Sequence, residues 1–184
     1  MKKSISVSAV LIVVPLLVWS QTANTPYAGQ ESRRIKSLSE AEVQAYLTGR
    51  GMGLAKPAEL NSYPGPMHAL ELAEQLHLSE AQRAELQKVF EAMRAEAVRL
   101  GKLVVEKEEA LNRLFAEGRA SADNVQAAVG EIARLQGELR AVHLRAHLDT
   151  KRVLSPHQVK KYDELRGYGG KEGGPQHQHS GPGE

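Results

Sequence analysis

Two long stretches of the chain carry apolar residues at alternating steps of four and three. The first runs Leu86, Phe90, Met93, Ala97, Leu100, Val104 and, past a polar Lys107, Leu111 and Leu114. The second runs Val125, Ala128, Ile132, Leu135, Leu139, Val142 and Ala146, with Asp149 at the next step. This period keeps one stripe of a helix apolar and predicts two amphipathic helices, over about residues 80–117 and 122–152. The connection Gly118-Arg119-Ala120-Ser121 is short, so the helices should run antiparallel with Leu100 opposite Leu139 and Met93 opposite Ala146.

Each end of this run carries the same phrase, Leu78-Ser79-Glu80-Ala81-Gln82 and Leu154-Ser155-Pro156-His157-Gln158. Both read as helix starts. The Ser hydroxyl accepts from the backbone N–H three residues on, and the Gln side chain reaches back to the N–H of the Ser. Pro156 falls at the first helical position, where its missing donor costs nothing. Leu154 can pack on Val159 across its cap, whereas Leu78 faces Arg83, a weaker staple.

Shorter elements flank the hairpin. Ser39 and Glu42 offer another capping box ahead of Val43, Tyr46 and Leu47, a short helix ended by Gly49, Gly51 and Gly53. Residues 54–61 suggest a further turn or two, Tyr63-Pro64-Gly65-Pro66 a rigid turn, and residues 67–77 a helix with Leu70, Ala73 and Leu76 inward. Val159, Tyr162 and Leu165 make a terminal helix that stops at Gly167. The expected fold class is therefore all-α, a long antiparallel helical hairpin with short flanking helices. A two-helix seam buries little surface, which calls for a homodimer or for the N-terminal helices packed across the hairpin.

The chain ends change the picture of charge and location. Lys2 and Lys3, an apolar run from Ile5 to Trp19 and a small-residue exit read as a cleaved signal peptide over residues 1–23, which implies export to the periplasm. Residues 24–66 form an N-terminal extension, extended and polar as far as Arg34. Residues 67–168 form the helical domain, and residues 169–184, rich in Gly, Pro, Gln and His, a disordered tail. The 24 Lys and Arg against 22 Asp and Glu become balanced once the two leader lysines are removed. No net positive field then remains for a nucleic-acid partner. With no cysteine there is neither a disulfide nor a lipid attachment site. No nucleophile–base constellation suggests an enzyme, and Glu106, Glu108 and Glu109 read as a solvated face.

The two phrases bracketing a capped hairpin behind a leader resemble the Spy/CpxP family of periplasmic stress proteins, whose mark is a repeated Leu-Thr-x-x-Gln phrase. Here Ser stands for Thr in both copies and keeps the capping chemistry. The resemblance covers about residues 67–166. It implies a cradle-shaped homodimer, and the function expected first is an ATP-independent chaperone for unfolded envelope proteins or an adaptor restraining a membrane sensor kinase, with a heavy-metal-binding sensor or resistance protein as the alternative. Chaperoning needs modest apolar contacts interleaved with charge, and residues off the seam that could supply them are Val98, Leu103, Phe115 and Leu144 with Arg99, Lys102 and Arg145. Val89 and Val105 share that pattern. The competing reading is that these apolar residues pack against the N-terminal helices or a dimer mate.

His143 and His147 lie at i and i+4 on one helix face, close enough to share a metal ion. Met93 and His68 could complete a soft or borderline site for Zn, Cu or Ni. No cofactor is otherwise required. Metal-sensing relatives draw on a His pair ahead of the first phrase and a His/Met pair ahead of the second. In this chain His68 is followed four residues on by Leu72 and His147 by Lys151. The competing reading is a solvated His pair on a charged helix. If metal binds, affinity should fall below the imidazole pKa of about 6.5.

Overall fold

The computed structural model describes residues 25–168. The leader and the tail, with His177 and His179, lie outside the described residues. Residues 25–31 belong to a small unit of their own and form successive turns, with the Ala28 N–H on the Thr25 carbonyl at 3.0 Å and the Gln30 N–H on that of Tyr27 at 3.1 Å. They are not the extended stretch expected. The helices belong to the second unit, which starts at Ser32. They are α1 (Glu40–Thr48), α2 (Lys56–Glu59), α3 (Pro66–Glu71), α4 (Glu80–Ala116), α5 (Ala122–Val153) and α6 (Pro156–Leu165). Among the described residues no helix is long and apolar enough to cross a membrane.

The long pair α4 and α5 packs together as the periodicity predicts. Leu100, Val104, Leu135, Leu139 and Val142 form its dry centre with Ala97. The stripe opens in two places. Leu111, Leu114, Val125 and Ala128 near the turn are only half-buried, and so are Phe90 and Met93. Four helices start on a Ser whose side chain and N3 partner bond reciprocally: Ser39 with Glu42, Ser79 with Gln82, Ser121 with Asn124, and Ser155 with Gln158.

The two phrases also meet. Gln82 Nε2 donates to Gln158 Oε1 at 2.8 Å and to the Val153 carbonyl at 2.9 Å. Gln158 Nε2 donates in return to Gln82 Oε1 at 3.1 Å and to the Leu76 carbonyl at 3.2 Å. Each Gln thus caps its own helix with its oxygen and ties the other phrase with its nitrogen. Beneath this clasp Leu78, Leu86, Leu154, Val159 and the fully buried Tyr162 form a second core cluster. Leu154 and Val159 are both in it, as the staple requires, while Arg83 turns away to donate to the Leu78 carbonyl at 3.3 Å.

The helix expected over residues 67–77 stops at Glu71. Leu76 and Leu78 are both buried, at 2% and 6% exposure. Residues two apart point to opposite sides of a helix, so both reach the core only because His77 between them turns left-handed, with φ +50°. The preceding residues therefore run as turns.

The N-terminal segment packs across the hairpin. Ile35, Leu38 and Val43 enclose Val105 of α4, which is 6% exposed. Val105 is therefore core, not a residue of the outer surface. Glu108 and Glu109 likewise hold this strap, accepting from Ser37 Oγ at 2.7 Å and Arg34 Nη1 at 3.0 Å, so they are anchors rather than a plain solvated face. The end of α1 lies directly on α4 at Gly101. A Cβ there would stand 2.8 Å from the Tyr46 carbonyl carbon and nearer still to its oxygen, so only glycine admits this approach. The left-handed Gly49 cap of α1, at φ +69°, rests beside Ala97 and Val98.

Candidate functional site

Where Phe90 and Met93 leave the seam open, a solvent-open cavity of about 1020 Å³ lies against α1, α2, α3 and the loops between them. His68, Met93, His143 and His147, the four metal candidates of the sequence, all line it. Glu59, Met52 and Met67 line it too, and none of these three stands out in the sequence. Both helix histidines are buried, His143 at 3% and His147 at 9% exposure, so the solvated reading of the pair does not hold.

The hydrogen bonds leave a consistent set of atoms free. His147 Nδ1 lies 2.7 Å from the Tyr63 carbonyl, which can only accept; the bond therefore places the ring proton on Nδ1 and the lone pair on Nε2. Gly65 makes room for that ring, since a Cβ there would lie 3.2 Å from Nε2. His68 Nδ1 lies 2.8 Å from Glu71 Oε2, which likewise leaves its Nε2 available. An imidazole that engages a carbonyl or carboxylate through one nitrogen and keeps the other open is the arrangement a metal ligand needs. His143 Nε2 is buried without a hydrogen-bond partner. Burial, and then the neighbouring His147, hold the His143 ring below its ordinary pKa, keeping it neutral and able to donate a lone pair.

Glu59 reaches the cavity from α2, and its two oxygens differ. Oε1 accepts from Tyr162 at 2.6 Å and Tyr168 at 3.2 Å, with Arg166 Nε 3.5 Å away. Oε2 has no hydrogen-bond partner; the nearest cationic candidate, His147 Nδ1, is 3.6 Å away, too far to count as one. Burial and the Glu59 carboxylate push the Tyr162 phenol well above its ordinary pKa, so it stays a donor at any working pH. One carboxylate oxygen is fixed by phenols from the α6 end while the other lies on the side of His147.

These donors fit a transition-metal ion in type: imidazole nitrogens, a carboxylate oxygen and thioether sulfurs. They share a cavity without converging on a point, and among the described residues no three His, Cys, Asp or Glu side chains form a ready ligand set. Three of its lining residues hold a buried polar atom without a partner: Glu59 Oε2 and His143 Nε2, which a cation would satisfy, and Arg166 Nε, which is itself a donor on a cation.

The residues singled out for chaperoning are spread over the hairpin. Leu103 packs against the central cluster, Val98 is half-buried beside Gly49, and Leu144 is half-buried on α5. Phe115, near the hairpin turn, is 61% exposed. Arg99, Lys102 and Arg145 are exposed, Arg99 paired with Glu96 at 2.7 Å.

No curated protein and no solved structure matches the chain. The profile of the heavy-metal resistance family matches residues 41–161, from within α1 into α6, so it takes in both phrases and every residue that lines the cavity except Arg166 and Tyr168. An all-helical chain with two clasped phrases, and a match over more than half its length, therefore belongs to the heavy-metal resistance family, of the Spy/CpxP-like kind.

Proposed function

We propose that this protein binds a borderline divalent cation, zinc, copper or nickel, in the cavity between the N-terminal helices and the hairpin, as an exported periplasmic resistance protein. His143 and His147 supply nitrogen through Nε2, and Glu59 supplies Oε2. The observation that carries this reading is that Glu59 and His143, which line one cavity, each hold a buried polar atom without a partner, Oε2 and Nε2. Ion binding draws donors from α2 and α5 together and links the cover to the hairpin. Isothermal titration of the purified protein with Zn(II), Ni(II) and Cu(II) tests it. Glu59→Gln, which keeps the acceptor for both tyrosines, should weaken binding by about tenfold or more, and His143→Ala with His147→Ala should abolish it. Absence of binding, or unchanged affinity in a folded Glu59→Gln protein, counts against the site.

A second reading rests on the size of the cavity. About 1020 Å³ exceeds what an ion needs, and the walls mix Phe90, Leu60 and Pro66 with Arg50, Lys56 and Arg94. Such a surface suits an extended segment of an unfolded envelope protein, held weakly enough to be released without ATP, with a homodimer or a sensor kinase as further partners. Light scattering of an aggregating client separates the readings. Suppression that survives chelation and the His143→Ala/His147→Ala substitutions supports the chaperone, whereas suppression appearing only with metal supports the sensor.

A further inference from the structure

The methionines make a separate claim on the cavity. The chain has four, Met1 and three others, and those three, Met52, Met67 and Met93, all line the same space. They arrive from unrelated places: Met52 from the glycine-rich loop after α1, Met67 from α3 and Met93 from α4. Packing does not account for the first two, which are 40% and 43% exposed. Met52 also has φ +42°, a left-handed conformation that a non-glycine residue adopts at a cost.

Thioether sulfur is neutral, polarisable and soft. It is a weak ligand for Zn(II) or Ni(II) and a good one for Cu(I) and its analogue Ag(I). The described residues hold no thiolate, so methionine is the soft donor available there. Each of the three is an unbranched thioether with three rotatable bonds, able to adjust to an ion that enters the cavity they line. His68, tied through Nδ1 to Glu71, adds a nitrogen with its Nε2 free. We propose that Met52, Met67 and Met93, with His68, form a soft-metal site for monovalent copper or silver at the cavity, distinct in donor set from the His143, His147 and Glu59 group. This rests on the reading that the cavity binds metal; it assigns the class of ion taken by its sulfur-bearing walls.

The test uses the purified full chain labelled with 13C at the methionine methyl groups. One equivalent of Ag(I) should shift the resonances of Met52, Met67 and Met93, whereas Zn(II) should leave them in place. Under anaerobic reducing conditions, competition against a colorimetric Cu(I) chelator should show affinity lost by about tenfold or more when all three are changed to Leu, with Zn(II) titration unaltered. Leu conserves the volume closely enough for the fold to persist, which circular dichroism checks. Silence of two or more of the three methyl groups towards Ag(I), or unchanged Cu(I) affinity in the triple variant, overturns the assignment. If Zn(II) still binds through the histidines in that case, the divalent site stands alone; if neither ion binds, both readings fall.

Discussion

The N-terminal segment meets the hairpin in two places, and the two are built on opposite terms. At Gly101 the end of α1 presses backbone onto backbone, with Ala97 and Val98 closing around Gly49 and no room for a methyl group. A few residues towards the start of α4, α2 and α3 stand off from the same helix pair and leave about 1020 Å³ lined by nitrogen, oxygen and sulfur donors. The close contact admits no added atom and fixes where the cover sits. The open one keeps polar atoms unsatisfied, a cost borne where a ligand can repay it. Stability and chemistry are thus assigned to neighbouring stretches of one covering segment.

Breaking the tight side should give the largest effect. Gly101→Ala improves helix propensity yet drives a Cβ into the Tyr46 carbonyl, so it should destabilise the protein by about 2–3 kcal/mol. Gly137→Ala on α5, where nothing lies within 4 Å of the new atom, should instead stabilise by about 0.5–1 kcal/mol. Urea midpoints of the two variants should move in opposite directions; the same direction in both would mean that α1 does not dock on Gly101.

Gln82→Ala tests the clasp at the far end of the cover. It removes a cap acceptor and the bonds to Val153 and Gln158, for an expected loss of about 1–2 kcal/mol. The double change with Gln158→Ala should cost less than the sum of the singles, because the bonds between the two amides are lost in either variant. Additive losses would show that each Gln serves only its own helix.

The smallest effect belongs to the open side. His143 is held neutral below the usual imidazole pKa of about 6.5. The unfolded chain takes up this proton first as pH falls, so protonation favours unfolding. The contribution is fully present above about pH 6.5 and is lost as pH drops from there towards the depressed folded value. The urea midpoint of metal-free protein should fall across that window, and less so in His143→Leu. Identical pH slopes would place the titrating group elsewhere.

The hairpin, its capped starts and the terminal helix are legible in the sequence because each rests on residues close along the chain: an apolar beat, a Ser, and a Gln three positions later. Position 101 and the cavity rest on contacts across the fold. Gly101 carries no local sign that α1 needs its missing side chain. Glu59 is an ordinary acid in a four-residue helix, and it matters only because Tyr162 and Tyr168, about a hundred positions on, hold one of its oxygens. His143 and His147 are legible as a pair through their spacing, but their burial is not, since the cover that buries them is set by turns with weak periodicity. The turn at His77 escapes a helical reading for a similar reason, because two core leucines flank it at a spacing that no helix permits.

The reciprocal amides of Gln82 and Gln158 close a loop of 76 residues. Many proteins achieve such closure with a disulfide, which restricts the unfolded chain but is open to reductants and thiol exchange. This chain has no cysteine and fastens the loop with amide groups alone. The fastening has no covalent memory: it restricts only the folded molecule and must be rebuilt each time the chain folds. In return, no change in redox potential can unfasten it.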